Sequence, residues 1–300
     1  MPISCAHLGA AESGKTTLLA QIRILYKQNY TEQELFHRKV FIYGNILSSI
    51  QKLISAVFDE GNAFSTYENA AHAQNLLAEE YHYSRFTPDQ ERAIAAIWKD
   101  PVIQTAYAKR STFNLNDSTK YFIDSISRLN ALDYTPTPTD LVMSYVPTVG
   151  VQNVIFTVHN KTFQRKWATM YDGIDAIFFC LAVSEYDQVM VEDQKTNRLE
   201  DSLNVLEKIS REPKFTQTPI FLFLNEVDVF TQKLSVFPLQ DFIPDYAGGS
   251  NEEALLFMEH MVRTRAGRPD KNLLHVYRTV MVDTSKMSKI LNEIFKKHIK

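Results

Sequence analysis

One eight-residue segment, Gly9-Ala10-Ala11-Glu12-Ser13-Gly14-Lys15-Thr16, limits what this chain can fold into more than any other. It has the form G-x-x-x-x-G-K-[ST]. It lies between an apolar run, Ile3–Leu8, and a helical stripe of Leu18, Leu19, Ile22 and Leu25. That is the strand–loop–helix setting in which the pattern cradles phosphate. Backbone N–H groups at a helix start attract anionic oxygens. Lys15 reaches the outer phosphates, and the Thr16 hydroxyl can sit on a magnesium ion. A plain strand-to-helix turn that binds nothing would need neither side chain.

The bulk properties exclude several classes. A 300-residue chain allows one large or two ordinary domains, and 45% hydrophobic with 12% aromatic residues gives ample core. A net charge of −3 carries no electrostatic footprint for nucleic acid. Cys5 and Cys180 both fall in apolar runs and read as buried free thiols. No leader opens the chain, and no apolar run approaches membrane-spanning length. Met1-Pro2 excludes the Met-Gly start of myristoylation. The expectation is a cytoplasmic protein that reaches a membrane surface only through a partner. In that setting the Asn-x-Ser/Thr triplets at Asn29, Asn116 and Asn160 carry no meaning.

Two kinds of pattern alternate along the chain. Residues 31–58 carry Leu35, Ile42, Ile46, Ile50, Leu53, Ile54 and Val57 on one helical stripe. Asn75–His82 reads as a short helix, and Thr87-Pro88-Asp89 starts another that stops near Pro101. Helical stretches follow at 101–110 and 117–130, and Tyr134–Pro138 reads as a stiff linker. Beyond residue 150 strands return: Val151–Val158, Ala176–Val183, Pro219–Leu224 and Leu274–Val282. Helices at Asp193–Ile209 and Asn251–Val262 separate them. Apolar strands alternating with helices indicate a mostly parallel sheet covered on both faces. The reading is therefore an α/β domain in two parts, 1–30 and 139–300, interrupted by an all-helical insertion, 31–138.

This arrangement resembles the α subunit of heterotrimeric G proteins, a Ras-like P-loop GTPase domain with a helical domain inserted after its first helix. The resemblance spans nearly the whole chain. It rests on Gly9–Thr17, Trp98-Lys99-Asp100, Leu115-Asn116-Asp117-Ser118 and Asp133–Thr137. It continues through Leu181–Asp187, Glu192-Asp193, Asn197-Arg198, Leu222–Asp228, Tyr246-Ala247-Gly248 and Asp283-Thr284. It implies GTP or GDP held with Mg2+ by Glu12, Ser13, Gly14, Lys15, Thr16 and Thr17. Thr16 and Thr148 would hold the metal, Asn225 and Asp228 would choose guanine, and Ser118 would cover the cleft from the helical domain. It also implies an effector-facing helix around Trp167.

The chain departs from the family at the positions that hydrolyse nucleotide. Tyr145 stands where the family has its built-in arginine finger. Such an arginine contributes roughly 10³–10⁵ in rate, a figure that belongs to the GTPase class and not to this chain. Glu12, which resembles the glutamate that pairs with that arginine, is then expected to lack a partner. Counting back from Trp167, the family's D-V-G-G-Q-R-S-E-R-K-K-W falls on Phe156–Trp167. That register puts Phe156 for the aspartate, His159 for a glycine and Asn160 for the catalytic glutamine. His159 as a substitute base is the weaker reading beside a structural histidine. Ala11 replaces a glycine beside the γ-phosphate.

Base recognition is half kept. The N-K-x-D pattern reads Asn225-Glu226-Val227-Asp228, so an acid replaces the lysine that stacks on the base, and it would face Asp117. The T-C-A-T pattern reads Thr279-Val280-Met281-Val282. Met281 either crowds the base or fills the vacant base pocket as core. The family's N-terminal helix and C-terminal tail have no counterpart, so binding of the βγ dimer and of a receptor is not expected. The expectation is a guanine-nucleotide-binding signalling subunit with impaired GTPase activity. The alternative is a nucleotide-free pseudo-GTPase that works as a scaffold. An ATPase or kinase with the same loop is weaker, because Asp228 follows an apolar strand and no acceptor site is evident.

Overall fold

A computed structural model describes residues 3–80, 85–113, 115–116, 118–144, 155–158, 161–166, 173–190, 193–270 and 272–298. The chain divides into two compact units, Met1–Asn29 with Thr148–Lys300, and Tyr30–Pro147.

The first unit is built on a sheet of six strands among the described residues: β1 (Ile3–Leu8), β2 (Ile155–Val158), β3 (Lys161–Lys166), β4 (Ala176–Ala182), β5 (Ile220–Asn225) and β6 (Leu274–Arg278). Their order is β2-β3-β1-β4-β5-β6. All neighbours are parallel except β2, which runs antiparallel to β3. β4 and β5 are buried at every position because the two-residue side-chain period meets a packed layer on each face. Ile177, Phe179, Leu181, Leu222 and Leu224 share one core with residues of α9 (Arg198–Arg211) and α11 (Asn251–Ala266). Cys5, Phe178, Cys180, Phe221 and Phe223 share the other with α1 (Lys15–Leu25) and α12 (Thr284–Glu293). Both cysteines are free and buried, and burial pushes the Cys5 thiol pKa up.

The second unit contains α2 (Glu32–Asp59), α3 (Tyr67–Ala78), α4 (Pro88–Trp98), α5 (Pro101–Ala108), α6 (Thr119–Asp124), α7 (Ile126–Leu129) and α8 (Pro138–Met143). Capping boxes start α2 at Thr31, α4 at Thr87 and α8 at Thr137. The stripe of α2 forms the spine of the core: Ile42, Ile46, Ile50, Leu53, Ile54 and Val57 pack with Ile94, Ile97, Phe122 and Leu129. The Trp98-Lys99-Asp100 motif proves structural. The Trp98 indole N–H donates to Asp124 (2.7 Å). Asp100 caps α5 and also accepts from Ser65 and Asn69.

Several local expectations change. α2 is long and apolar enough to cross a membrane by length and composition, which a scan for uninterrupted apolar runs misses; one face of it is core. The short helix at 75–82 is instead α3, started by Thr66. The stiff linker ends in α8, whose Asp140 is fully buried beneath Arg128, Tyr121 and Tyr134. α8 thus packs with the helices, inside the compact unit Tyr30–Pro147. β6 stops at Arg278, which places Met281 in the loop before α12. Lys161–Lys166, read as part of a switch, is a strand.

Candidate functional site at the carboxyl edge of the sheet

β1 delivers the chain at Leu8 to the phosphate-loop motif, and α1 carries it away. Gly9 adopts φ 140°, and a Cβ there would lie 2.2 Å from the Cys180 carbonyl oxygen. Glu12 and Gly14 are also left-handed, at φ 61° and 101°. A Cβ on Gly14 would lie 2.6 Å from Asn225 Nδ2 and 2.7 Å from Met281 Sδ. Gly14 caps α1 without a side chain, and the first helical bond runs from Leu18 N–H to Gly14 O (2.8 Å). The N–H groups of Lys15, Thr16 and Thr17 precede that bond, where helices bind anions. Within the loop, Lys15 Nζ and the Ser13 hydroxyl both donate to the Ala10 carbonyl.

Asn225 and Asp228 stand where β5 leads into α10 (Val227–Lys233). Asn225 joins three segments: its Nδ2 donates to Ser13 O (3.5 Å), and its Oδ1 accepts from Met281 N–H (3.0 Å) and the Thr279 hydroxyl (3.4 Å). Gln21 of α1 reaches the Met281 carbonyl from below (2.7 Å). Met281 is 2% exposed within the core that α1 and α12 share, so its side chain is core beneath the loop. Asp228 is exposed. Glu226, at φ 64°, accepts a hydrogen bond from the Ser184 hydroxyl.

Glu12 has a partner after all. Arg198, the first residue of α9, donates to Glu12 Oε2 (2.8 Å) and the Ala11 carbonyl (3.3 Å). It also pairs with Glu185 Oε1 at 2.5 Å. Burial pushes the Glu185 carboxyl up to about 7, against the pull of Arg198. Sequence reasoning noticed Asn197-Arg198 but gave it no role. The signal available was a helix-capping Asn followed by a cation beside an acidic loop.

Ser118 belongs to the helical unit, where its hydroxyl and N–H both donate to Asn116 Oδ1 (2.6 and 2.9 Å). Thr148, Tyr145, Asp117, His159, Asn160 and Trp167 lie outside the described residues. The register that assigned the second switch to Phe156–Trp167 fails on topology. Val158 and Lys161 pair with each other at the end of the sheet where β1 begins, since Phe163 is level with Ile3 and Lys166 with Ala6. At ~3.3 Å per residue, Lys161 is ~25 Å below the level of Gly9.

The donor set suits a hard cation. Thr16 offers a hydroxyl beside the anion-binding helix start, and magnesium takes such oxygens together with phosphate and water. No cluster of three or more His, Cys, Asp or Glu side chains that could hold a metal ion occurs among the described residues.

A parallel sheet with a phosphate loop after β1, an Asn-x-x-Asp turn after β5 and a helical insertion defines a P-loop GTPase-type protein. The G-protein alpha subunit family model matches residues 2–299, and the chain belongs to that family. It is 51% identical to the guanine nucleotide-binding protein alpha-13 subunit of Caenorhabditis elegans over 301 residues, covering 96% of this chain and 86% of the relative. It is 31% identical to the alpha-17 subunit of Caenorhabditis briggsae, and 31% to the G(o) subunit alpha of Locusta migratoria. Each comparison covers 96% of this chain and 85% of the relative. Each alignment is longer than the part of this chain it takes in, so each relative carries residues with no counterpart here.

Proposed function

We propose that this chain is a signalling subunit that binds GTP or GDP with Mg2+ and turns the nucleotide over poorly. The observation that carries this is the loop itself: a glycine-capped helix start, with Lys15 and Thr16 in place, braced from beneath by Asn225. Lys15, Thr16 and the amides from Glu12 to Thr17 hold the phosphates. Thr16, with Thr148, holds the metal through hydroxyl oxygens, and bound magnesium supplies charge neutralisation on the phosphates. Asp228 accepts from guanine N1 and N2. Tyr145 in the place of the arginine supports slow turnover. The chain works in the cytoplasm and at a membrane surface through a partner. The partner is an effector protein facing the segment at Trp167.

A thermal-shift titration with GDP, a non-hydrolysable GTP analogue and ATP, each with and without magnesium, tests the reading. A ligand of the folded state raises stability by RT ln(1 + [L]/Kd). The expected result is a guanine-selective, magnesium-dependent shift. The scaffold reading is favoured by one specific feature: Glu226 is bound to Ser184 at the turn where the family has the lysine that stacks on the base. No shift with any nucleotide would establish it.

A further inference from the structure

We propose that His275 of β6 and His298, in the turn that follows α12, form a proton-operated latch. With both rings neutral the turn is held against the sheet, and with both charged it is let go. The latch does not depend on what the phosphate loop holds.

β6 is an edge of the described sheet, and its His275 is level with Phe221 of β5. Level residues on neighbouring strands share a face, and Phe221 belongs to the core that α12 helps to build. The two rings stack, with centroids 5.1 Å apart and planes inclined by 12°. Beyond Glu293 the chain widens into a π-turn, Ile294–His298. That turn brings the His298 ring to 4.1 Å from His275 and 5.8 Å from Phe221. Phe221 is fully buried, whereas both imidazoles are half-buried, so solvent protons reach the histidines.

His275 Nε2 lies 3.0 Å from the Asn272 carbonyl oxygen, which accepts from an N–H. The neutral ring therefore carries its proton on Nε2, and Nδ1 takes any second one. The charges nearby are already matched. Arg263 of α11 pairs with Glu259 at 2.8 Å, and Glu293 of α12 pairs with Lys297 at 3.6 Å. Asp270, before β6, accepts from the Asn272 N–H, and Lys296 is exposed. Among the described residues, none of these carboxylates bonds an imidazole.

One proton on the pair is tolerable, because an imidazolium can rest on the face of Phe221. A second sets two like charges on rings 4.1 Å apart, and they repel. Burial and the neighbouring His298 both lower the His275 pKa from its ordinary 6.5, the direction of a site that resists charging. A lowered value means that the hold is complete above pH 6.5 and is lost as pH falls below it. The turn is also held by Phe295, which meets Tyr26 at 5.5 Å and Phe178 at 6.0 Å. Those contacts carry no group that titrates in mild acid, so the histidine pair is the pH-dependent part of the attachment.

Hydrogen–deuterium exchange of the full chain at pH 7.5 and pH 5.0, corrected for the intrinsic rate at each pH, tests this. The expected result is at least about a threefold loss of protection over 286–298 in acid, with β4 at 176–182 unchanged. His298→Phe and His275→Phe keep a ring but cannot take a proton, so each should retain its protection over 286–298 at both pH values. The parent with either variant decides the matter. Equal protection over 286–298 at the two pH values in the parent would overturn the proposal. So would a loss shared equally by 176–182, or the same acid loss in a phenylalanine variant.

Discussion

The Arg198 guanidinium lies between Glu12 of the phosphate loop, at 2.8 Å, and Glu185 in the turn that follows β4, at 2.5 Å. Arg198 is 7% exposed and Glu185 6%, so this pairing is buried on the sheet side and open only toward Glu12. The exposed face contributes little, because solvent screens such pairs. The buried face is different, because without the cation Glu185 takes up a proton, its carboxyl being raised to about 7 already, and the charge-assisted hydrogen bond is lost. Arg198→Ala should destabilise the protein by about 1.5–3 kcal/mol, read by urea denaturation at neutral pH. A loss below about 1 kcal/mol would show that the pair is not buried in solution.

Glu185 also predicts a pH dependence. Burial raises its folded value to about 7 from an ordinary 4.5. A raised value means that the folded state holds the proton more tightly. The associated stability is therefore complete below pH 4.5 and is lost as pH rises through about 7. Glu185→Gln removes that loss. The melting temperature of the variant relative to the parent should climb between pH 5 and pH 8, and a flat difference would contradict the assignment.

Lys15 separates binding from folding. It is half-buried, and its Nζ donates to the Ala10 carbonyl within the loop. Lys15→Ala should leave the ligand-free melting temperature within a few degrees of the parent. It should weaken GDP by about 10- to 100-fold, the worth of a charge-assisted hydrogen bond. Equal affinity in the two proteins, measured by fluorescent-nucleotide titration, would remove Lys15 from the site.

In the helical unit the sensitive group is Asp140. Burial alone would raise its carboxyl, but Arg128, the Thr137 N–H and the Tyr121 hydroxyl outweigh it and hold it at about 2. A depressed value gives stability that is present above pH 3.8 and lost as pH falls through about 2. Asp140→Asn should cost about 2–4 kcal/mol at pH 7, and the deficit should shrink on acidification. Parallel denaturation curves at pH 7 and pH 3 check both parts.

The phosphate loop, the buried strands and the long helices were legible in the sequence because each has a period or a motif of its own. Leu18 and Ile22 announced α1, and Ile42 through Val57 announced α2, before any contact was known. β3 was not legible. Lys161–Lys166 has three cationic residues among six, and a motif anchored on Trp167 offered a competing register that only the pairing of Phe163 with Ile3 excludes. α8 was hidden because Pro136 and Pro138 read as a linker, whereas Pro138 opens a helix capped by Thr137. The partner of Glu12 was hidden for a different reason. Arg198 is 186 residues away, and only the sheet order brings the end of β4 and the start of α9 to the loop.

Gly9 and Gly14 are demanded by their surroundings whatever the loop holds. One is pressed against the Cys180 carbonyl, the other against Asn225 and Met281. A lineage that gave up nucleotides would go on keeping both glycines, since replacing either would disturb the sheet beneath. Selection would release only Lys15 and Thr16. Half of the signature is therefore an imprint of packing, and drift at those two side chains is the trace by which descendants with a dead site would be recognised.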